Sequence, residues 1–222
     1  MIAQPPLFEQ FAALRDIPFV RHAFTLRAPH IEVSPDKATA LRRLDHLHAQ
    51  VRDEIGMAGW PFVTAQQIHG AATHLIDSDA VSHCVEGCDG LVTDRPGVCL
   101  GIYVADCCAV YLVDPVRRAI GLVHSGRKGT ELAIASHALE TMRTRLRCNP
   151  ANMIVLLSPC IRVPHYEVDF AGAICAQCRQ AGVAQVHDAN VCTACDLERY
   201  YSYRAEKGNT GRMLALLGLA GD

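Results

Sequence analysis

The feature that most limits the fold of this chain is a series of four apolar runs between residues 89 and 124. Turn-forming sequences, Asp94-Arg95-Pro96-Gly97 and Asp114-Pro115, separate these runs. Runs that are apolar at consecutive positions are typical of strands covered on both faces. The centre of the chain therefore predicts a buried sheet, with strands over residues 90–93, 98–104, 110–113 and 119–123.

Helical and strand-like segments surround this centre. Residues 36–55 have apolar positions at helical spacing, with Asp36 as the predicted N-cap and Gly56 as the residue that ends the helix. The same reasoning predicts further helices over residues 130–146 and 210–219, and further strands over 19–26, 62–64, 73–76 and 153–157. The mixture predicts an α+β or mixed α/β protein. Because no segment has the composition of a linker, we expect a single domain over residues 1–222.

The composition narrows the class of partner. The net charge is −2, and the sequence has no basic patch of the kind that binds nucleic acid or anionic membranes. No run approaches the roughly 18 apolar residues of a membrane helix, and the first residues lack a signal-peptide pattern. We therefore expect a cytoplasmic protein without a nucleic-acid or membrane partner. Its eleven cysteines would then be reduced rather than paired in disulfides. Their possible roles are metal ligand, nucleophile and buried apolar residue.

Three polar residues stand at the ends of predicted strands. His69 lies between two strand segments, Cys107 follows the strand over 98–104, and His124 follows the strand over 119–123. Loops at strand ends commonly present functional side chains. Two imidazoles and one thiolate are suitable zinc ligands, and three protein ligands leave the open position of a catalytic zinc. A second interpretation needs no metal, because Cys107 could act as a nucleophile with either histidine as its base.

Other cysteine and histidine groupings are weaker candidates. The pairs Cys175-x2-Cys178 and Cys192-x2-Cys195 are separated by 13 residues, near the spacing of a zinc ribbon, and could hold a second, structural zinc. Residues 171–181 are equally compatible with an ordinary helix. The His46-Leu47-His48 sequence falls on the predicted helix over 36–55, where positions i and i+2 point apart, so it does not support a copper site.

Several motifs in one order resemble the YfiH/DUF152 family, which also carries the labels multicopper polyphenol oxidase and purine nucleoside phosphorylase. They are Gln67-Ile68-His69-Gly70, Asp89-Gly90-Leu91-Val92-Thr93-Asp94, Ala105-Asp106-Cys107, His124-Ser125-Gly126, Ser158-Pro159, Tyr166-Glu167-Val168, Cys192-Thr193, Tyr201-Ser202-Tyr203-Arg204 and Thr210-Gly211-Arg212.

The resemblance implies a fold, a metal site and a reaction. The implied fold is α+β, with two packed mixed β-sheets flanked by helices. The family's zinc ligands correspond to His69, Cys107 and His124. The implied activity is phosphorolysis of adenosine, inosine, guanosine or methylthioadenosine, or deamination of adenosine, so a purine nucleoside and phosphate are the expected partners. Arg27 corresponds to an arginine of the family, and with Lys128 it is predicted to bind the anionic group.

One loop departs from the family pattern. Where the family has His-Ala-Gly-Trp-Arg-Gly, this chain has Arg127 and Lys128 in place of Trp and Arg. Lysine keeps the charge but lacks the planar fork that grips phosphate at two points. Two alternatives to the nucleoside enzyme therefore stay open: a Cys/His hydrolase or amidase that edits a cell-wall precursor, and a non-catalytic zinc-binding protein.

Overall fold

The computed structural model describes residues 6–77 and 80–221. Within these ranges the chain forms twelve strands, five α-helices and two short 3-10 helices. In chain order the strands and α-helices are β1 (Phe8–Glu9), α1 (Ala12–Arg15), β2 (Val20–Thr25), α2 (Lys37–Glu54), β3 (Phe62–Ala65), β4 (Thr73–Leu75), β5 (His83–Val85), β6 (Gly90–Thr93), β7 (Cys99–Val104), β8 (Cys108–Asp114), β9 (Ala119–Ser125), α3 (Arg127–Glu131), α4 (Ile134–Arg145), β10 (Ile154–Leu157), α5 (Phe170–Gln180), β11 (Gln185–Asp188) and β12 (Met213–Leu219).

The strands form two mixed six-stranded sheets. The first sheet has the order β1-β2-β12-β7-β3-β5, in which β12 pairs antiparallel with β2 and β7, and β3 pairs parallel with β7 and β5. The second sheet has the order β11-β10-β8-β9-β6-β4, with an antiparallel β8–β9 hairpin at its centre. The expectation of two mixed sheets flanked by helices is confirmed.

The second sheet is covered on both faces. Tyr111 and Leu122 belong to the core shared with the first sheet, and the hydroxyl of Tyr111 donates to the carbonyl oxygen of Ala23 at 2.8 Å. Val110 and Leu112 point to the other face, where they belong to the core formed with α4 and α5. Because successive side chains of a strand alternate between faces, both of which are buried here, every residue of β8 and β9 is buried. This burial explains the uninterrupted apolar runs.

Most of the predicted elements are present. The helix over 36–55 is α2, where the Asp36 side chain accepts a hydrogen bond from the Thr39 amide at 2.9 Å and Gly56 follows with a φ of +78°. The strands predicted over 19–26, 62–64, 73–76, 90–93, 98–104, 110–113, 119–123 and 153–157 correspond to β2, β3, β4, β6, β7, β8, β9 and β10.

One helix prediction is wrong, and another is confirmed only in part. Residues 213–219 form β12, a central strand in which all seven residues are buried. A short, uniformly apolar run fits a buried strand as well as a helix, and here pairing with β2 and β7 decides the outcome. The helix over 130–146 is two helices, α3 and α4, because Ala133 between them has a left-handed φ of +54°. Among the described residues, no helix is both long and apolar enough to span a membrane.

Candidate metal centre and active site

His69, Cys107 and His124 meet where the chain passes from one sheet to the other. The β3–β4 connection carries His69 and the β7–β8 connection carries Cys107, and both connections leave the first sheet and enter the second. His124 lies in β9, opposite Ala109 in β8. The candidate ligand atoms of these three residues, called the trio below, all lie within 4.8 Å of one another. The sheet topology therefore brings together residues that are far apart in sequence.

The loops that carry two of these residues have an uncommon backbone conformation. Gln67 and His69 have φ values of +64° and +60°, and Asp106 beside Cys107 has +83°. Side chains other than glycine rarely adopt this conformation unless other contacts hold it. The Gln67 side chain supplies such contacts, because it donates to the Tyr103 carbonyl oxygen at 2.6 Å and accepts from the Tyr103 amide at 3.0 Å.

Asp89 joins the two histidines. Its fully buried carboxylate accepts hydrogen bonds from the backbone amides of Ile68 (3.1 Å), His69 (2.9 Å) and Gly70 (2.8 Å). The same carboxylate lies 2.8 Å from Nδ1 of His124. A proton on Nδ1 leaves Nε2 of His124 free for a metal or for Cys107, the usual arrangement of a metal-binding histidine with an outer carboxylate. One aspartate thus fixes the His69 loop and the ring of His124.

The thiol and the imidazole of the cluster favour their charged forms. Burial alone would raise the pKa of Cys107, but hydrogen bonds with His124 and His69 outweigh it and lower the pKa to about 6. Burial would lower the pKa of His124, but hydrogen bonds with Asp89 and Cys107 raise it to about 9. Without a metal, Cys107 and His124 therefore form a thiolate–imidazolium pair.

The immediate surroundings of Cys107 fit a ligand role. A Cβ atom built on Gly126 would lie 2.5 Å from Sγ of Cys107, so only glycine leaves the sulfur its place. Zinc accepts imidazole nitrogen and thiolate sulfur, and the lowered pKa supplies the thiolate that a metal requires. The donor set and the space around it therefore fit a metal ion held by three protein ligands.

The cluster opens into a cavity of about 660 Å³. This volume lies within the range of small-molecule sites. Apart from the trio, Gly126 and Gln67, the wall combines aromatic and apolar residues with four cations and one carboxylate: Tyr103, Ala105, Ile161, Tyr166, Phe170, Tyr203, Lys37, Arg127, Arg204, Arg212 and Asp106. The rings of Tyr166 and Phe170 are in edge-to-face contact, with centroids 5.8 Å apart. The cavity is thus suited to a flat, partly apolar ligand that carries a negative charge.

Neither cation that the sequence singled out lines this cavity. Arg27 forms an ion pair with Glu206 at 2.8 Å and lies over the ring of Tyr201, 4.9 Å from its centroid. Lys128 is exposed on α3. The four cations that do line the cavity were not among the binding residues predicted from the sequence. Arg204 and Arg212 stood within recognised motifs, but nothing in the pattern around Lys37 marked it as more than a helix residue.

The paired CxxC motifs do not form a second metal centre. Cys175 and Cys178 lie on α5 and belong to the buried core beneath it, whereas Cys195 is exposed. Within residues 6–77 and 80–221, His69, Cys107 and His124 are the only group of three or more potential ligands that converges. Helical packing explains the first pair, because positions i and i+3 share the buried face of α5. All eleven cysteines are free thiols.

Comparison with known proteins decides the family. The family model described as multi-copper polyphenol oxidoreductase laccase matches residues 34–171 and 165–220, which is most of the chain. The chain belongs to this family. It is also 32% identical over 234 aligned positions to a protein of Deinococcus radiodurans named purine nucleoside phosphorylase, with 90% of this chain and 89% of that protein covered.

Further relatives agree with this assignment. Purine nucleoside phosphorylase YlmD of Geobacillus stearothermophilus is 29% identical, with 71% of this chain and 72% of the relative covered. The crystal structure of YlmD from that organism aligns with a TM-score of 0.82 at 23% identity, over 98% of this chain and 100% of YlmD. The crystal structure of Bacillus licheniformis YfiH aligns with a TM-score of 0.80 at 24% identity, over 90% and 92%. The two solved structures share the fold of this chain.

Proposed function

We propose that this protein is a zinc-dependent purine nucleoside phosphorylase. The observation that carries the proposal is the convergence of His69, Cys107 and His124 on a cavity with aromatic and cationic walls. The names of the curated relatives support the same reaction class. The aromatic residues can pack against a purine, and the cations can hold phosphate.

We favour zinc over copper, in spite of the family's description. Blue-copper sites add a weak axial ligand, usually methionine and less often glutamine or a backbone oxygen, to two histidines and a cysteine. No methionine is among the described residues that line this cavity, and the side chain of Gln67, which does line it, forms two hydrogen bonds with the backbone of Tyr103. Oxidases with several coppers also need further ligand clusters, and the trio is the only such group within the described ranges. Bound zinc would supply Lewis-acid chemistry at the open position.

The residues of the chain have separable roles in this proposal. His69, Cys107 and His124 hold the metal, while Asp89 orients His124 and the loop of His69. Tyr166 and Phe170 form a wall against which the base can pack. Deamination of adenosine, a hydrolytic attack at C6, is a second reaction proposed for the same cavity. The eleven free thiols favour a reducing compartment, so we place this activity in the cytoplasm.

One observation favours a second candidate function. Hydrogen bonds with His124 and His69 lower the pKa of Cys107 although burial acts in the opposite direction. A lowered pKa is also what a nucleophilic cysteine needs. A metal-independent hydrolase or amidase acting on a cell-wall precursor would use Cys107 to attack a carbonyl carbon. The phosphorylase requires bound zinc, whereas the hydrolase requires its absence, because zinc bound to the sulfur of Cys107 would prevent that sulfur from acting as a nucleophile.

A nucleoside panel tests the proposed function. Metal-analysed protein is incubated with adenosine, inosine, guanosine or methylthioadenosine, with and without phosphate, and the products are identified by mass spectrometry. The proposal expects free base and ribose 1-phosphate (methylthioribose 1-phosphate from methylthioadenosine), formed only with phosphate and lost in Cys107→Ala. Bound zinc without turnover of any nucleoside would favour a third alternative, a non-catalytic zinc-binding protein. Alkylation of Cys107 by an electrophilic substrate analogue in metal-free protein would favour the hydrolase.

A further inference from the structure

We propose that Lys37 and Arg212 form the phosphate subsite of the cavity. Both side chains line the cavity that also contains the metal-binding trio. The catalytic meaning of this subsite rests on the proposed function, whereas the binding of inorganic phosphate can be tested without it.

The fold brings together two residues from opposite ends of the chain. Lys37 is the first residue of α2, and Arg212 directly precedes β12. An isolated antiparallel bridge between Ser34 and Thr210 joins the two segments nearby. Both side chains line the same cavity, and the charge of Arg212 acts on Lys37. No local sequence pattern could have indicated the pair.

Lys37 and Arg212 differ from the other two cations of the cavity in having no acidic partner. Arg127 forms ion pairs with Glu131 at 2.9 Å and Glu167 at 3.7 Å. Arg204 forms one with Glu167 at 3.3 Å and lies over the ring of Tyr166. Within residues 6–77 and 80–221, neither Lys37 nor Arg212 forms an ion pair. Arg212 donates only to the carbonyl oxygens of Gly211 (2.7 Å) and Thr210 (3.5 Å).

The acidic groups nearest to them in the chain are already engaged. The Asp36 carboxylate caps α2 by accepting from the amide and the hydroxyl of Thr39. Glu206 accepts from Arg27, from the Ser202 amide at 3.0 Å and from the Thr210 hydroxyl at 2.6 Å. Glu206 thus pairs directly with Arg27 and acts on Arg212 only at longer range, so the guanidinium of Arg212 keeps its hydrogen-bonding capacity for a ligand.

Asp106, the carboxylate in the wall of the cavity, is also committed. It accepts from the Thr193 hydroxyl and from the Arg204 amide, each at 2.7 Å. The carboxylate therefore organises the wall of the cavity.

The electrostatic environment of Lys37 and Arg212 favours the binding of an anion between them. Lys37 is exposed at the rim of the cavity, where partial desolvation and the charge of Arg212 both lower its pKa. Arg212 is half-buried, and this burial lowers its pKa, while its electrostatic interactions with Tyr203, Cys107, Asp106 and Glu206 act in the opposite direction. Two neighbouring cations repel each other, and an oxyanion between them relieves that repulsion.

The chemistry of the two side chains suits phosphate. A guanidinium can bind two phosphate oxygens in a planar fork, and an ammonium adds a compact charge. In phosphorolysis a phosphate oxygen forms a bond to C1′ of the ribose as the C1′–N9 bond breaks. The purine leaves with the electron pair of that bond and takes up a proton. Lys37 and Arg212 would hold the attacking phosphate and offset its charge beside the trio.

The test measures binding of inorganic phosphate by titration calorimetry, in metal-loaded and metal-free protein. The variants are Lys37→Gln, Arg212→Gln and Arg212→Lys, with Arg42→Gln, an exposed position on the same helix, as the matched control. We expect each Gln variant to raise the Kd for phosphate by about 10-fold or more, because each removes a charge-assisted hydrogen bond. Arg212→Lys should have an intermediate effect. Thermal melts verify that each variant is folded.

The outcomes separate this inference from the proposed function. Undetectable binding in the wild-type protein, or equal binding in Lys37→Gln, Arg212→Gln and Arg42→Gln, would overturn the subsite. Lys128→Gln is measured alongside them, and loss of binding in that variant alone would return the role to one of the two cations that the sequence suggested. If phosphate binding depends on Lys37 and Arg212 but no nucleoside is cleaved, the subsite stands and the phosphorylase proposal fails. If nucleosides are cleaved, the KM for phosphate should rise in both Gln variants.

Discussion

Two cysteine-containing regions of this molecule differ in whether their thiols converge on a possible metal site. The region around Cys107 has no zinc-binding spacing, yet it meets two histidines in a cavity. The region from Cys175 to Cys195 has two CxxC motifs near zinc-ribbon spacing, yet α5 turns its first pair into the core. Connections between the two sheets, rather than local spacing, therefore determine which thiols in this chain can share a metal ion.

The two regions also differ in the charge state of their thiols. Hydrogen bonds with His124 and His69 overcome burial and lower the pKa of Cys107 to about 6. Burial, with a smaller contribution from Cys175, raises the pKa of Cys178 to about 12, and the charge of Arg179 offsets this only in part. Cys107 is therefore a thiolate at neutral pH and Cys178 a thiol, which is a difference that mutations and chemistry can probe.

Removing a member of the trio should have the largest effect. We expect His124→Ala to reduce metal affinity and nucleoside turnover by more than about 100-fold, beyond what loss of an outer hydrogen-bond partner costs. The reason is that His124 contacts both Cys107 and Asp89 in the cluster. Turnover assays and metal content of the purified variant measure the loss. Full activity in His124→Ala would remove the trio from the mechanism.

Crowding the sulfur of Cys107 should have the next largest effect. In Gly126→Ala the new Cβ would lie 2.5 Å from Sγ, so either the sulfur or the loop has to move. We expect metal affinity to fall by about 10- to 100-fold, as for other displacements of a ligand. Gly221→Ala is the matched control, because a Cβ at that position has nothing within 4 Å. Equal affinity in both variants, measured by competition with a chelator, would contradict the fit of Cys107 to a metal.

Weakening the hydrogen bonds of Asp89 that position the two histidines should have a smaller effect on metal affinity. Asp89→Asn keeps the shape of the side chain but cannot accept from His124 and from all three loop amides at once. We expect metal affinity to fall by about 10-fold, at the lower end for outer hydrogen-bond partners. Asp45→Asn, on the exposed side of α2, serves as the control. If Asp89→Asn binds metal as well as the control, Asp89 does not position the ligands.

The charge states of the thiols predict a pH dependence in metal-free protein. Because the pKa of Cys107 is lowered to about 6, its iodoacetamide reaction should reach its plateau between pH 6 and 8. The exposed Cys195 has a raised pKa, first through its hydrogen bond with Cys192, so its reaction should still increase above pH 9. Mass spectrometry of the two peptides gives both profiles in one experiment. A Cys107 profile that rises only above pH 8 would refute the thiolate–imidazolium pair.

The two members of this pair contribute to stability with opposite signs. A thiol whose pKa is depressed on folding stabilises the folded state above its ordinary pKa, and loses that contribution as pH falls through the lowered value of about 6. An imidazole whose pKa is raised stabilises the folded state below its ordinary pKa, and His124 loses that contribution as the pH rises through about 9. The two changes offset each other, so the free energy of unfolding of the metal-free protein should change little between about pH 6 and 9, whereas Cys107→Ala, which keeps only the imidazole, should lose stability as the pH rises. Thermal melts of wild-type and Cys107→Ala protein across this range measure the difference.

The sequence predicted the centre of the molecule better than its ends. The apolar runs of β8 and β9 could be recognised as strands in the sequence, because both faces of each strand are buried. The run of β12 was misassigned because its position between β2 and β7 depends on residues far away in the chain. Strand-end position identified His69, Cys107 and His124 as candidates, whereas Lys37 and Arg212 come from opposite ends of the chain and share the cavity only through the tertiary fold. Local pattern thus indicates buried strands, and long-range pairing decides the walls of the cavity.

The most direct test of the central claim is a count of zinc ions per chain by elemental analysis. The wild-type protein, Cys107→Ser and Cys178→Ser are purified from zinc-supplemented cultures under reducing conditions and compared after removal of loosely bound metal. The convergence of one trio predicts one zinc in the wild type, none in Cys107→Ser and one in Cys178→Ser. Two zinc ions in the wild type, with one lost in Cys178→Ser, or a full complement in Cys107→Ser, would contradict it.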